Sequence, residues 1–176
     1  PQLEGVQRLA DGLRKGRDSD ALRIASVLAL SHAVLPRALA QFKQKHPNVT
    51  VTLQSLHSPQ IVSALMMQEA DVGFVLSNVQ QPTLLQEHLA RVPMMCVVPK
   101  ATRPPFKLDA GTLSQEDLAS VPLISLDAQD PVGMLLNQLG RESGAGQNHF
   151  VTVQTYHTAL AMAHHGLGVA MVDGCT

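Results

Sequence analysis

The chain has 176 residues, of which 45% are hydrophobic and 15% charged. That balance supports a buried core of ordinary size, excludes disorder, and at this length allows one domain or two small lobes. Thirteen basic against fourteen acidic residues give a net charge of −1, so no cationic surplus drives the chain onto a phosphate backbone. Aromatic residues make up only 3%, without tryptophan, which leaves few faces for stacking single-stranded bases.

The two cysteines, Cys96 and Cys175, form neither a disulfide framework nor a metal-ligand spacing, and they fit a reducing compartment. The longest apolar runs have the length of strands, too short for a membrane-spanning helix. The first residue is Pro1, and the chain is expected to be a piece of a longer protein.

Residues 1–18 read as a helix. Val6, Leu9 and Leu13 fall at heptad spacing, with Leu3 beside them and Gly16 ending the run. Either a terminal helix packed on its own domain or the end of a coiled-coil connector would produce this stripe. An alternation of strand and helix follows. Leu22–Val27 reads as a strand. A helix is predicted from about Ser31, with Pro36 in its early turns and Leu35, Leu39 and Phe42 on one face, stopping before Pro47. Val49–Gln54 is a strand by its β-branched content. Ser58 then Pro59 predicts a helix start, a hydroxyl N-cap followed by proline at the first helical position. Ile61, Val62, Leu65 and Met66 supply the apolar face of that helix. Val72–Leu76 reads as a buried strand.

A polar connector covers residues 77–92, and Val92–Val98 is the next strand. Pro99, Pro104 and Pro105 mark a loop or lobe boundary. Ser114 and Asp117 resemble a capping box opening a short helix. Pro122–Leu126 is a short strand. Asp130-Pro131 repeats the cap-plus-proline start for a helix through Met134, Leu135, Gln138 and Leu139. A turn over residues 143–148 leads to a strand at Phe150–Gln154. Thr155 opens a helix through His165, striped by Leu160, Ala161 and His164 and closed by Gly166. Val169–Val172 is the last strand.

Strands separated by helices imply parallel sheets with right-handed crossovers, and two such runs imply two lobes. Ligands of open parallel sheets bind at the carboxyl ends of the strands. The junctions at Leu28–Ser31, Leu56–Ser58, Leu126–Asp130 and Gln154–His157 are therefore expected to line one crevice.

The sequence carries no glycine-rich phosphate loop, no zinc-protease helix and no nucleophile elbow. His157 and His164 could share a helix face, but a third ligand is missing. His164 is expected as a partly buried member of its stripe, beside an exposed His165. Ser31, Ser58 and Thr155 place hydroxyls where helix N-termini offer free N–H groups, a setting that suits an anion if each does more than cap its own helix. Asp130 is accounted for as an N-cap. Asp127 lies one step outside that helix and could pair with an amine or guanidinium. Anion donors together with a carboxylate would suit a zwitterionic, amino-acid-like ligand. An enzyme using the same crevice would need a base, for which His57 or His157 could serve, but no activated partner is evident.

From Leu22 through Pro47-Asn48-Val49 and onward, with Leu35-Pro36 inside the first helix, the sequence resembles the opening of the effector-binding domain of LysR-type bacterial transcriptional regulators. Ser58-Pro59 through Ala70-Asp71-Val72-Gly73-Phe74 is similar to that family's second helix and third strand. Leu160–Met171, with Gly166-Leu167-Gly168-Val169, is similar to its last helix and strand. The resemblance covers about residues 20–176. Within the family, the stretches from Ser58 to Phe74 and from Pro122 to Gly140 look most like the branch of lysine-biosynthesis and opine-responsive regulators.

The resemblance implies an α/β fold of two Rossmann-like lobes with a hinge cleft, like a type 2 periplasmic binding protein. It implies the end of a linker helix at residues 1–18, a first regulatory lobe at 19–98 and a second at 99–176, with the winged helix-turn-helix and the segment returning to the first lobe absent. It also implies an effector sensor rather than an enzyme, with no cofactor, metal or membrane partner. A cytoplasmic homodimer or homotetramer would act on DNA through the missing N-terminal domain and on RNA polymerase. An extracytoplasmic amino-acid-binding protein, which shares the two-lobed architecture, is the alternative. Carried over by position, the ligand contacts are Leu28, Ala29, Leu30 and Ser31; His57 and Ser58; Ser125, Leu126, Asp127 and Asp130; and Thr155 and Tyr156. Ala29 stands where the family often has a hydroxyl, so Ser31 or backbone N–H groups would have to serve there.

Overall fold

The computed structural model describes residues 21–76, 81–101, 114–128, 130, 132–134, 137–138 and 149–176. The expected helix at 1–18, the turn at 143–148, and Leu135 and Leu139 lie outside the described residues. Two units divide the chain, the first running through Val92 and the second from Pro93 to Gly174.

In the first unit, strands β1 (Ala21–Ser26), β2 (Thr50–Ser55) and β3 (Val72–Phe74) form a parallel sheet in the order β2-β1-β3. Ile24 stands opposite Leu53 on one side and Val72 on the other. The central strand is covered on both faces, so Ile24, Ala25 and Ser26 are all buried. The chain then forms helices α1 (Leu28–Ala33) and α2 (Leu35–Lys45) rather than the single helix predicted from Ser31. Pro36 causes the break. It sits in the first turn of α2, where its missing N–H is tolerated, and it could not continue a helix coming from α1. Leu35, Ala38 and Phe42 recur at helical spacing and pack on Leu22, Ile24, Val49 and Phe74. Lys43 closes the end of α2 by donating from Nζ to the carbonyls of Pro47 and Val49, 2.7 Å each.

Helix α3 (Ser58–Met66) buries Ile61 and Ala64 against Ala25 and Ala70. Met66, expected on its apolar face, is 46% exposed, because the buried stripe follows Ile61 and Ala64 and turns away before Met66. A Cβ at Gly73 would lie 2.6 Å from Ile61 Cγ2, so glycine lets this helix seat on β3. Arg23 and Asp71 join β1 to the entry of β3. The Asp71 carboxylate accepts from the Arg23 backbone N–H and from Nε and Nη2 of its guanidinium, the last at 2.8 Å.

In the second unit, strands β4 (Met94–Val97), β5 (Leu123–Leu126), β6 (His149–Val153) and β7 (Val169–Asp173) lie in the order β4-β7-β5-β6. Strand β5 runs parallel to β6 and β7, but β4 is antiparallel to β7. The expectation of purely parallel pairing fails at this edge. Among the described residues no helix lies between β3 and β4, and an edge position accepts either direction. Strand β4 belongs to the second sheet, and the division between the two units falls between Val92 and Pro93; Pro104 and Pro105 lie outside the described residues.

The short helix α4 (Gln115–Ala119) has the predicted box: Ser114 Oγ accepts from the Asp117 N–H, and the Asp117 carboxylate accepts from the Ser114 N–H. Helix α5 (Tyr156–His164) buries Ala159 and Ala163 against β5 and β7. The stripe read through Ala161 and His164 is displaced: both are exposed, since the small alanines allow the closest approach to the sheet. The predicted terminator holds, with Gly166 at φ +81°.

Leu35→Ala and Ile61→Ala are each expected to destabilise the first unit by about 2–5 kcal/mol, from lost transfer energy plus a cavity. Leu85→Ala, at a residue 97% exposed, should change stability by less than about 0.5 kcal/mol. Urea unfolding followed by far-ultraviolet circular dichroism checks both.

Candidate functional site

The parallel order gathers the carboxyl ends of β1, β2 and β3. The Val27 N–H donates to the Phe74 carbonyl at 3.0 Å and the Leu56 N–H to the Ser26 carbonyl at 2.9 Å. Backbone bonds therefore continue past the strand ends and fix the junctions from which α1 and α3 start. Ser31 lies one turn inside α1, not at a helix start, because α1 already begins at Leu28. Its Oγ is buried and accepts from Ser55 Oγ at 3.0 Å. Ser26, fully buried at the end of β1, donates from Oγ to the Val27 carbonyl at 3.1 Å.

At the α3 junction the extended capping residue is His57, so Ser58 is the first helical residue and Pro59 the second. The predicted cap shifts by one residue because His57, at φ −76° and ψ 152°, already leaves helical conformation. The Gln60 side chain reaches back and accepts from the His57 N–H at 3.1 Å.

In the second unit all of β5 is buried. The Asp127 N–H donates to the Val153 carbonyl at 3.0 Å, and the Asp130 N–H to the Asp127 carbonyl at 3.1 Å. A helical stretch at 132–134 follows. A Cβ at Gly133 would collide with the Asp127 carbonyl oxygen and stand 2.5 Å from that of Leu126. Glycine is required there because the helical backbone rests directly on the end of β5.

Asp130 caps this stretch as predicted, its Oδ1 accepting from the Val132 N–H at 2.8 Å. The same Oδ1 accepts from the Tyr156 hydroxyl at 2.9 Å. Thr155 caps α5, its Oγ1 accepting from the Thr158 N–H at 3.1 Å. Burial raises the Tyr156 phenol pKa well above its ordinary value, and the Asp130 charge, the hydrogen bond to it and the Asp173 charge push it further. Asp173 is itself buried at the end of β7, its carboxylate accepting from the Thr176 N–H and hydroxyl at 3.0 and 2.8 Å.

The sequence candidates thus form one set in each unit. Leu28, Ala29, Leu30 and Ser31 share the first set with His57 and Ser58; Ser125, Leu126, Asp127, Asp130, Thr155 and Tyr156 form the second. Within them, Ala29, Ser125 and Leu126 are buried, and Leu30 packs on the core, so these side chains fill space beneath the junctions. Ser55 and Gly133 were missed. Ser55 ends β2 beside the junction that was singled out, and a strand-end hydroxyl was the available signal; Gly133 gave none, since a close approach shows only in three dimensions. No group of three metal-ligating side chains occurs among the described residues. His164 and His165 are both exposed, correcting the buried role expected of His164, with ring centroids 5.6 Å apart. No described helix is long and apolar enough to cross a membrane.

A family model described as the LysR substrate binding domain matches residues 15–176. The HTH-type transcriptional regulator DgcR of Pseudoalteromonas sp. is 25% identical over 175 residues, covering 99% of this chain and 59% of that protein. The octopine catabolism/uptake operon regulatory protein OccR of Rhizobium meliloti is 27% identical over 159 residues, covering 86% and 49%. The chain therefore spans about half the length of these relatives. Among solved structures, the BenM effector binding domain with its effector benzoate matches with a TM-score of 0.71 at 19% identity, covering 88% of this chain and 70% of that one. That likeness is one of fold, and it matches the expected type 2 periplasmic-binding-protein-like α/β class.

Tyr156 is the only tyrosine in the chain, so phenolate absorbance reports on it alone. The folded state holds the phenol protonated above its ordinary pKa of 10.0, while the unfolded chain releases the proton. Stability linked to this group is intact below pH 10 and is lost as pH rises further. In an alkaline titration the phenolate band is expected to appear with unfolding, not before it. Tyr156→Phe should flatten the fall in stability above pH 10 relative to the parent; a free phenol titrating near pH 10 in the folded chain would contradict this.

Proposed function

The chain belongs to the LysR substrate binding domain family, and from that premise we propose that it is the sensing part of a LysR-type transcriptional regulator whose effector is a small, amino-acid-derived molecule. The observation that carries the ligand class is the pair of half-buried carboxylates, Asp127 and Asp130, at the carboxyl end of β5, the end at which parallel sheets bind ligands. Carboxylates there favour an effector bearing an ammonium or guanidinium group. The name of OccR ties that relative to octopine, which agrees with this class.

Binding acts by population shift: an effector with higher affinity for one conformation raises its share. In the whole protein this would alter DNA binding through a separate N-terminal winged helix-turn-helix, in a cytoplasmic homodimer or homotetramer that engages RNA polymerase.

A thermal-shift screen of the chain against amino acids, opine-like conjugates and aromatic acids tests the reading. Amino-acid-type ligands should raise the melting temperature, with about 2.7 kcal/mol of stabilisation at a hundredfold excess over Kd. Hits confined to aromatic acids would reject the ligand class and leave the sensor role standing.

A further inference from the structure

We propose that Met66 is an oxidation site and that its thioether works as a latch: a peroxide converts it to the sulfoxide, which holds the connector after β3 more firmly to the end of α3. The proposal stands apart from the ligand class argued above.

Met66 is the last residue of α3 and Met67 caps the helix. Met66 is 46% exposed, whereas Met162 packs on the core of the second unit and Met171 is half-buried in β7. Met94, Met95 and Met134 are exposed as well, so accessibility alone does not single out Met66. Its sulfur does, because the Thr83 hydroxyl donates to Sδ at 3.2 Å across 17 residues of sequence. Thr83 follows Pro82 in a turn closed by the Leu84 N–H on the Gln81 carbonyl at 3.1 Å.

The helix end beneath Met66 is fixed by its own backbone. The Met67 N–H donates to the Ser63 carbonyl at 2.9 Å, and the N–H groups of Glu69 and Ala70 both donate to the Ala64 carbonyl, at 2.8 and 3.1 Å. A change at the sulfur therefore acts on the turn rather than on the helix.

Hydrogen peroxide transfers one oxygen atom to a sulfur lone pair. The O–O bond breaks, the sulfur loses two electrons, and the peroxide is reduced to water. In a packed core the polar product disrupts its surroundings. At Met66 the side chain already reaches water, and a hydroxyl donor is in place. A thioether is a weak acceptor. A sulfoxide oxygen accepts better, and O–H···O bonds are shorter than the present contact. Oxidation strengthens the tie to Thr83.

Graded peroxide treatment of the chain tests this, with peptide mass mapping of each methionine and amide exchange of Leu84 followed by nuclear magnetic resonance. Met66 is expected to oxidise before Met162 and Met171. Exchange at Leu84 should then slow by about two- to tenfold, the effect of one net hydrogen bond. The two methionine sulfoxide reductases, one for each epimer, should restore the original rate. Thr83→Val should leave Met66 oxidisable and abolish the slowing; Met66→Leu should abolish it too, and Met67→Leu should keep it. Slower oxidation of Met66 than of Met162, unchanged or faster exchange at Leu84 once Met66 is oxidised, or slowing that survives Thr83→Val would each overturn the proposal.

Discussion

The constraint on which this structure depends is that the inner strands of its two sheets are sealed by packing. In β1 the residues Ile24, Ala25 and Ser26 are buried, and in β5 all of Leu123–Leu126 are. A strand covered on both faces offers a ligand nothing along its length. It can offer only its end, where the chain leaves the sheet and the next helix begins. Every polar candidate of interest therefore lies within a few residues of a strand terminus, and backbone bonds fix each terminus in turn. The Asp127 N–H on the Val153 carbonyl and the Leu56 N–H on the Ser26 carbonyl extend the ladders one step past the sheet.

Glycine carries the same constraint into the helices. At Gly73 a side chain would strike Ile61 and Leu65, and at Gly133 it would strike the backbone of Leu126 and Asp127. The first glycine seats α3 on β3 through side-chain packing that could in principle adjust. The second meets carbonyl oxygens that cannot move without displacing the end of β5. Gly133 thereby sets the distance between the β5 terminus and the helical stretch that Asp130 caps. Packing under the sheet and chemistry above it meet in this residue.

The β-α order, the parallel first sheet, the caps at Ser114, Asp130 and Thr155 and the helix stop at Gly166 were legible in the sequence. Each rests on local chemistry: β-branched runs, oxygen acceptors before apolar periodicity, or an exposed backbone turn. What was not legible depended on pairing. The direction of β4 follows from its edge position beside β7. The split of the first helix needed the knowledge that α1 already starts at Leu28. The partnership of Asp130 with Tyr156 required the register of β5 against β6. Leu126 stands opposite Val153, so residues four and three positions further on reach the same junction. Without that register, Asp130 reads as a cap and Asp127 as the unexplained carboxylate.

The Asp130–Tyr156 pair also bears on the kind of work the junction performs. A general acid or base must hold a proton loosely enough to exchange it near working pH. Tyr156 is held in the opposite condition, its phenol fixed in the protonated state by burial and by two nearby carboxylates. A proton held that firmly gives direction rather than transfer. Asp130 Oδ1 accepts from two donors, which fixes the orientation of the carboxylate. The arrangement at the end of β5 thus ties the cap of one helical stretch to the start of α5 through a single carboxylate oxygen.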